Sequence, residues 1–342
     1  MSGDVFDSGA PLAESERIVF SFFKRVGQAG VQTVVIAGNH DHPARLQAWG
    51  TLAELVGVHA VAIPKKAADG GTITIGLPSG EIAIVAAVPF AAPRLFVSAL
   101  ELALDSTRAK QSYADCLRAI VSELSSAFGA DTVNLLMTHT HLEGAVFSGS
   151  ERRVHLGEDW AASPQALPST AHYVALGHIH RPQRMDRAPS PAYYAGSPLQ
   201  LDFGEAGEKK VFMSIDARPR QPARIEAVPC QGGRPLVEVR ARLAHLEREA
   251  DKLRTSGWLK VRVLLDAPDP DLSGRVRRLL PNAVVVEAEL PRATPRETEP
   301  RPAANASPLD LFRAYYVKTH GREPASSRLE AFEKLRAQAE GD

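Results

Sequence analysis

The chain has 342 residues, enough for one large domain or two ordinary ones at about 100–200 residues each. Its composition, 44% hydrophobic and 23% charged, is that of a folded chain, and 40 Lys+Arg offset 40 Asp+Glu, so net charge argues for no nucleic-acid partner. The sequence offers no apolar run long enough for a membrane span and no signal-peptide pattern at its start. Cys116 and Cys230 are far apart, which excludes a disulfide framework or a zinc ribbon; the expected setting is the cytoplasm.

Residues 11–29 predict a helix, with Pro11 in its first turn, an apolar stripe of Ile18, Val19, Phe22, Phe23 and Val26, and Gly27 and Gly30 at its end. The β-branched run Val31–Ala37 predicts a strand that stops at Gly38-Asn39-His40-Asp41. Further strands are expected at Ile73–Ile75 and Ile82–Phe90, a helix at 107–128, and strands at Thr132–Met137 and His172–Leu176. The last two run into Thr138-His139-Thr140-His141 and Gly177-His178-Ile179-His180. Lys209–Asp216 and Arg224–Val228 complete this series of strands.

From about residue 218 the pattern becomes strand (Leu236–Val239), helix (Leu243–Leu253), strand (Trp258–Leu265), helix (Leu272–Leu280) and strand (Val284–Leu290), a small α+β module. Residues 291–307 are a Pro- and Ala-rich linker, followed by helices at 308–318 and 325–340. On the first of these, Leu309, Phe312 and Tyr316 make an apolar stripe that either docks back on its own domain or binds a partner.

Chemistry concentrates in four loops: Gly3-Asp4-Val5-Phe6-Asp7, Gly38-Asn39-His40-Asp41, Thr138-His139-Thr140-His141 and Gly177-His178-Ile179-His180. One histidine after a strand is more often structural than a ligand. Several such loops at strand ends can gather site residues at one sheet edge. Asp, Asn and His without thiolate suit Mn2+ or Fe2+, and Zn2+ less distinctively. Two ions about 3.5–4 Å apart, bridged by a carboxylate, are a device for phosphoester hydrolysis.

The order GD…GNHD…H…GHxH resembles the calcineurin-like metallophosphoesterases and, among them, the SbcD nuclease family of double-strand-break repair. The detail that carries it is Gly3 to Ser8 with Pro11, Pro43 and Arg45-Leu46 after the second motif, Gly144-Ala145, Ala175 to Gln183, and Tyr194 to Leu199 running into Asp202-Phe203-Gly204-Glu205. The Ser307-Pro308-Leu309 segment with Phe312 and Tyr315-Tyr316 extends the likeness to the C-terminal helices. The resemblance implies an α/β fold: a layered metallophosphoesterase β-sandwich flanked by helices (1–217), a small α+β capping domain (218–290), a linker (291–307) and C-terminal helices (308–342) that bind an SbcC-type ATPase.

It further implies that Asp4 bridges two Mn2+ ions, that Asn39, His139 and His178 complete one site, and that His180 belongs to the other. His40 resembles the catalytic histidine, with Asp41 expected to orient its imidazole. Asp7 stands where some relatives have a histidine, and His141, His42 and His172 are expected to be spare or structural. The implied reaction is Mn2+-dependent cleavage of DNA, as double-strand 3′–5′ exonuclease and single-strand or hairpin endonuclease, in a heterotetramer with two copies of each subunit. Access would be gated by the partner's ATP cycle, since no P-loop pattern occurs here.

The family opens with a strand ending in Asp-x-His, whereas only Met1 and Ser2 precede Gly3 here. The expectation is that the natural protein starts further upstream, and that the chain as written, short of a central strand, is poorly soluble. Arg152, Arg153, Arg181 and Arg184 could hold DNA phosphates; Arg275, Arg277 and Arg278 could do so or simply form a salt-bridged face. Two other readings stand beside the nuclease: a phosphodiesterase for small substrates, and an SbcD-like scaffold that binds its partners without assembling two metals.

Overall fold

The computed structural model describes residues 1–91, 95–96, 113–151, 161–290 and 307–339. By its contacts the chain divides into two units, Met1–Val263 with Asp271–Glu287, and Leu264–Pro270 with Ala288–Asp342.

In the first unit, helix α1 (Ala13–Gln28) leads to strand β1 (Thr33–Ile36), helix α2 (Pro43–Ala53) and strand β2 (Val58–Val61). β3 (Thr72–Gly76) and β4 (Ile82–Val88) follow, then helix α3 (Tyr113–Ser125) and β5 (Thr132–His139). Short strands β6 (His141–Leu142) and β7 (Ala161–Ala162) precede β8 (Tyr173–Gly177), β9 (Gln183–Arg184) and β10 (Ala192–Tyr194). β1 and β2 pair in parallel, while a six-stranded sheet runs β3-β4-β5-β8-β10-β9. Within it β4, β5, β8 and β10 are parallel, so β5 and β8 end side by side with His139 opposite Gly177.

The two-residue alternation of side chains along a strand builds the layers. Val34 and Ile36 of β1 meet Val61, Val85, Ala87 and Met137, which forms the interior between the two sheets. Val35 and Ala37 point the other way, to Phe23 of α1 and Leu46 of α2. Ala86, Val88 and Leu136 face Leu117, Ile120, Val121 and Leu124 of α3. The result is the expected layered α/β fold, with helices outside each sheet. Beside β1, the Met1 ammonium donates to the Val34 carbonyl (2.7 Å) and the Met1 carbonyl accepts from the Ile36 N–H (3.2 Å), so the first residue extends the ladder.

Two expectations about this unit change. The α1 stripe is only partly inward: Phe23 is buried, but Ile18 and Phe22 are about half exposed, at 57% and 48%. Helix α2 and strand β2 were not anticipated. Rich in Ala and carrying Gly50, which lies buried against Ala60, α2 shows little of the apolar periodicity that marks a helix in sequence.

Strands β11 (Val211–Asp216) and β12 (Arg224–Pro229) form an antiparallel pair, and β13 (Leu236–Ala241), β14 (Trp258–Leu264) and β15 (Ala283–Glu289) a three-stranded sheet. The single helix expected at Leu243–Leu253 is two, α4 (Leu243–Arg248) and α5 (Ala250–Thr255), because Glu249 leaves helical geometry at φ −97°, ψ 9°. Helix α6 (Leu272–Leu279) follows.

In the second unit, α7 (Pro308–His320) begins at a reciprocal Ser307–Asp310 capping box with Pro308 in its first turn, and ends at Gly321, φ 66°. α8 (Ser326–Ala339) packs on it. Phe312 stacks on Phe332 with ring centres 4.4 Å apart, and Tyr316 is buried with the Arg328 guanidinium over its ring. Phe312 and Tyr316, read as partner-binding, thus meet α8 of their own hairpin, with Leu309 half-buried beside them; the faces left open carry Leu311 and Tyr315. Nearly all of the 291–307 linker lies outside the described residues. Among the described residues no helix is long and apolar enough to cross a membrane.

Leu136, fully buried between β5 and α3, tests the layer packing. Leu136→Ala is expected to cost about 2–5 kcal/mol, read as a lower denaturant midpoint.

Candidate metal centre

The loops after β1, β5 and β8 converge with the N-terminal Gly3-Asp4 turn, and glycines permit the approach. A Cβ on Gly38 would collide with the Asp4 carboxylate, and one on Gly177 with the Ser2 carbonyl. Asp4 and His178 adopt left-handed backbone, φ 51° and 96°, a conformation that costs a non-glycine residue energy and concentrates at functional sites.

Ligand atoms of Asp4, His139 and His178 lie within 4.8 Å of one another, the one such group of three among the described residues. Asn39 Oδ1 sits among them, 2.9 Å from His139 Nε2 and 3.0 Å from His178 Nδ1. His139 Nδ1 lies 2.7 Å from the Ser2 carbonyl, which can only accept, so Nδ1 carries the proton. His139 Nε2 then faces two acceptors, Asn39 Oδ1 and, at 3.3 Å, Asp4 Oδ2. Nitrogen and oxygen ligand atoms that converge in this way can hold a cation. Asn39 Nδ2, meanwhile, is buried without a partner.

The charge states agree. Burial would raise the Asp4 pKa, but the hydrogen bond and charge of His139 and the His40 N–H (2.9 Å) bring it down to about 2. Burial, followed by the neighbouring His139, lowers His178 to about 3. At neutral pH the group therefore offers a carboxylate and a neutral His178 ring. Two imidazoles, a carboxylate and an amide oxygen fit a borderline or hard divalent ion such as Mn2+.

His40 stands at the edge of this group, its Nε2 4.0 Å from Asp4 Oδ2. Its Nδ1 donates to the Asp7 carbonyl at 2.9 Å, which turns Nε2 toward the centre. This corrects the role expected of Asp41: the carbonyl of Asp7, not the carboxylate of Asp41, orients the imidazole. The Asp41 carboxylate accepts instead from the backbone N–H of Gly38 (2.9 Å), Val5 and Phe6 (3.2 Å each), and so ties the first two loops together. Its pKa is raised, by burial first and by the nearby Asp4.

His180 is not gathered into the group of three. Its Nδ1 meets Ser150 Oγ (2.8 Å) and Glu205 Oε1 (3.1 Å), its N–H donates to Glu151 (3.0 Å), and its carbonyl accepts from Lys210 Nζ (3.0 Å). Glu205 is wholly buried and pairs with Lys210 at 2.7 Å, while Ser150 also bonds it. Burial alone would raise the Glu205 pKa; bonds from His180, Lys210 and Ser150 bring it down to about 2. The same contact raises His180 against the opposing effect of burial. Such a carboxylate behind an imidazole fixes which nitrogen points forward. Nothing in the spacing of Ser150, Glu151, Glu205 or Lys210 links them to His180, so the sequence does not single them out for this role.

Of the other histidines, His172 Nδ1 accepts from the Asn134 N–H (3.0 Å), His141 packs edge-on against Phe147, and His42 is exposed before α2. Arg152 and Arg153 lie outside the described residues. Arg181 and Arg184 are exposed, the latter paired with Asp186 at 3.3 Å. In α6, Arg278 pairs with Asp271 at 2.8 Å and Arg277 reaches the Val284 carbonyl.

Removing Lys210 would strand a buried carboxylate. Lys210→Met is expected to lower stability by about 3–5 kcal/mol in chemical denaturation, and adding Glu205→Gln to recover part of the loss.

Residues 232–320 match the family model described as "Type 5 capsule protein repressor C-terminal domain". The chain is similar to the SbcD subunit of the SbcCD nuclease of Bacillus subtilis strain 168, 30% identical over 98% of this chain and 86% of that protein. The protein of the same name in Rhodobacter capsulatus is 31% identical, covering 92% of this chain and 81% of its own length. That of Escherichia coli K12 is 25% identical over 99% and 85%. With this similarity along nearly its whole length, the chain belongs to the SbcD family of SbcCD nuclease subunits.

Proposed function

We propose that this chain is the Mn2+-dependent nuclease subunit of an SbcCD-type complex, hydrolysing DNA phosphodiesters in recombination, replication and repair. It would act as a double-strand 3′–5′ exonuclease and as a single-strand or hairpin endonuclease, in the cytoplasm, with an SbcC-type ATPase. The observation that carries the reading is the convergence of Asp4, Asn39, His139 and His178 ligand atoms with His40 Nε2 at their rim.

Asp4, Asn39, His139 and His178 would hold one ion, and His180, oriented by Glu205, would serve a second with Asp4 as the bridge. The chemistry the ions supply when bound is Lewis-acid activation of water and neutralisation of phosphate charge. His40, its Nδ1 proton committed to Asp7, can hold or pass a proton at Nε2, where the scissile phosphate would lie. Arg181 and Arg184, with Arg152 and Arg153, would grip phosphates without reading sequence. The division into nuclease domain (1–217), capping domain (218–290), linker (291–307) and partner-binding helices (308–342) belongs to the same reading.

A heterotetramer with two copies of each subunit is supported by an apolar groove between α1 and α2, lined by Phe20, Phe23, Trp49, Leu52 and Val56. Leu52 is 71% and Phe20 40% exposed there, so the groove offers an apolar face that a second copy could cover.

His40→Ala should leave metal bound and lower the DNA cleavage rate by roughly 10²–10⁴. His139→Ala should instead lose metal, measured as bound Mn2+ per chain. Metal lost with His40, or kept without His139, contradicts the division of roles. Leu52→Asp with Phe20→Asp is expected to halve the sedimentation mass of the two-copy particle while leaving metal content unchanged.

A further inference from the structure

Next to the metal centre the chain displays two apolar side chains to solvent, Val146 at 52% and Phe147 at 42% exposure. They lead into the polar run Ser148-Gly149-Ser150, and among the described residues both stay largely open to solvent. Yet the stretch is fastened at one end to β9 and at the other to the loop that carries His178 and His180. The Gln183 amide bonds the Val146 backbone twice, accepting from its N–H (2.9 Å) and donating to its carbonyl (2.8 Å). The buried Glu151 carboxylate accepts from the N–H groups of Ser148, Gly149 and His180, at 2.9, 2.9 and 3.0 Å. The Phe147 ring lies 4.7 Å from His141 and 6.4 Å from His178, edge-on to both and stacked on neither.

We propose that Phe147 is a stacking platform for the nucleobase attached to the phosphate held at the metal centre. The inference rests on the nuclease reading and adds to it a place for the base. A nucleotide whose phosphate sits at His178 has its base one sugar away, at the distance of the Phe147 ring. Every base has an aromatic face, so such a platform is indifferent to sequence, as a nuclease acting on DNA ends requires. Rigid anchoring by Gln183 and Glu151 means that little order is lost when a base lands on the ring.

The test uses the whole chain with DNA oligonucleotides. Phe147→Ala should raise KM for cleavage about tenfold with kcat nearly unchanged, while Phe147→Trp retains the wild-type KM. The penalty should vanish on an oligonucleotide with an abasic residue beside the scissile phosphate. Without metal, a single strand carrying 2-aminopurine should be quenched on binding by wild type and Phe147→Trp, and not by Phe147→Ala. An unchanged KM in Phe147→Ala, an equal loss on abasic DNA, or quenching that ignores the ring overturns the proposal. Failure of the wild type to cleave any DNA would instead overturn the nuclease reading; the metal-free quenching would then still decide for or against the platform. Because Phe147 is exposed, its removal should leave the unfolding midpoint near that of wild type, which separates loss of stacking from loss of fold.

Discussion

The organising constraint is electrostatic: a carboxylate, an amide oxygen and two imidazole nitrogens are pressed together around one point. Left to themselves such groups repel or draw in protons. The scaffold prevents the second outcome by burial, which holds His178 neutral, and the first by anchoring the far side of the rings. Ser2 holds His139, Asp7 holds His40, and Glu205 and Ser150 hold His180, so each of these imidazoles presents one defined nitrogen. Each anchor commits a backbone or side-chain acceptor to an N–H that could otherwise rotate into the centre. The layers of sheet and helix make that arrangement possible, since parallel strands deliver their loops to a common edge.

How much of this was legible in the sequence depended on range. β1, β5 and β8 are apolar runs bounded by Gly, Asn and His, so their ends and the motif residues could be read directly. The clustering of Asp4, His139 and His178 followed from the order of motifs and a family likeness. What is not legible there is made by groups distant in sequence: Glu205 on His180, Lys210 on both, and the Asp7 backbone carbonyl on His40. Asp41 shows the reverse error. As a neighbour of His40 it looked like its orienting group, but the tight turn aims its carboxylate back at the Gly38, Val5 and Phe6 amides. Helix α2 was missed because Ala and Gly residues, suited to close packing on β2, erase the periodicity that announces a helix.

The C-terminal hairpin raises the same point in another form. Periodicity identified Leu309, Phe312 and Tyr316 as one stripe and left its occupant open. The occupant of Phe312 and Tyr316 is α8, through ring stacking and a guanidinium. A partner bound to this hairpin therefore meets a different face, with Leu311 and Tyr315, unless the two helices separate first. α1 behaves similarly: half of its apolar stripe serves the core through Phe23, and half is turned outward. An apolar stripe shows that something must cover it without naming the cover.

Lys210 has one more consequence. Its buried ammonium is shared among the Glu205 and Glu208 carboxylates and the carbonyl of His180. When the backbone of the His178–His180 loop swings away, that ammonium loses its carbonyl partner and keeps only the two carboxylates. Opening of the loop is therefore resisted in part by a charge 30 residues further along the chain, beside the bond from the His180 N–H to Glu151. In amide exchange this would make the His180 N–H one of the slow protons of the molecule, although it lies in a loop.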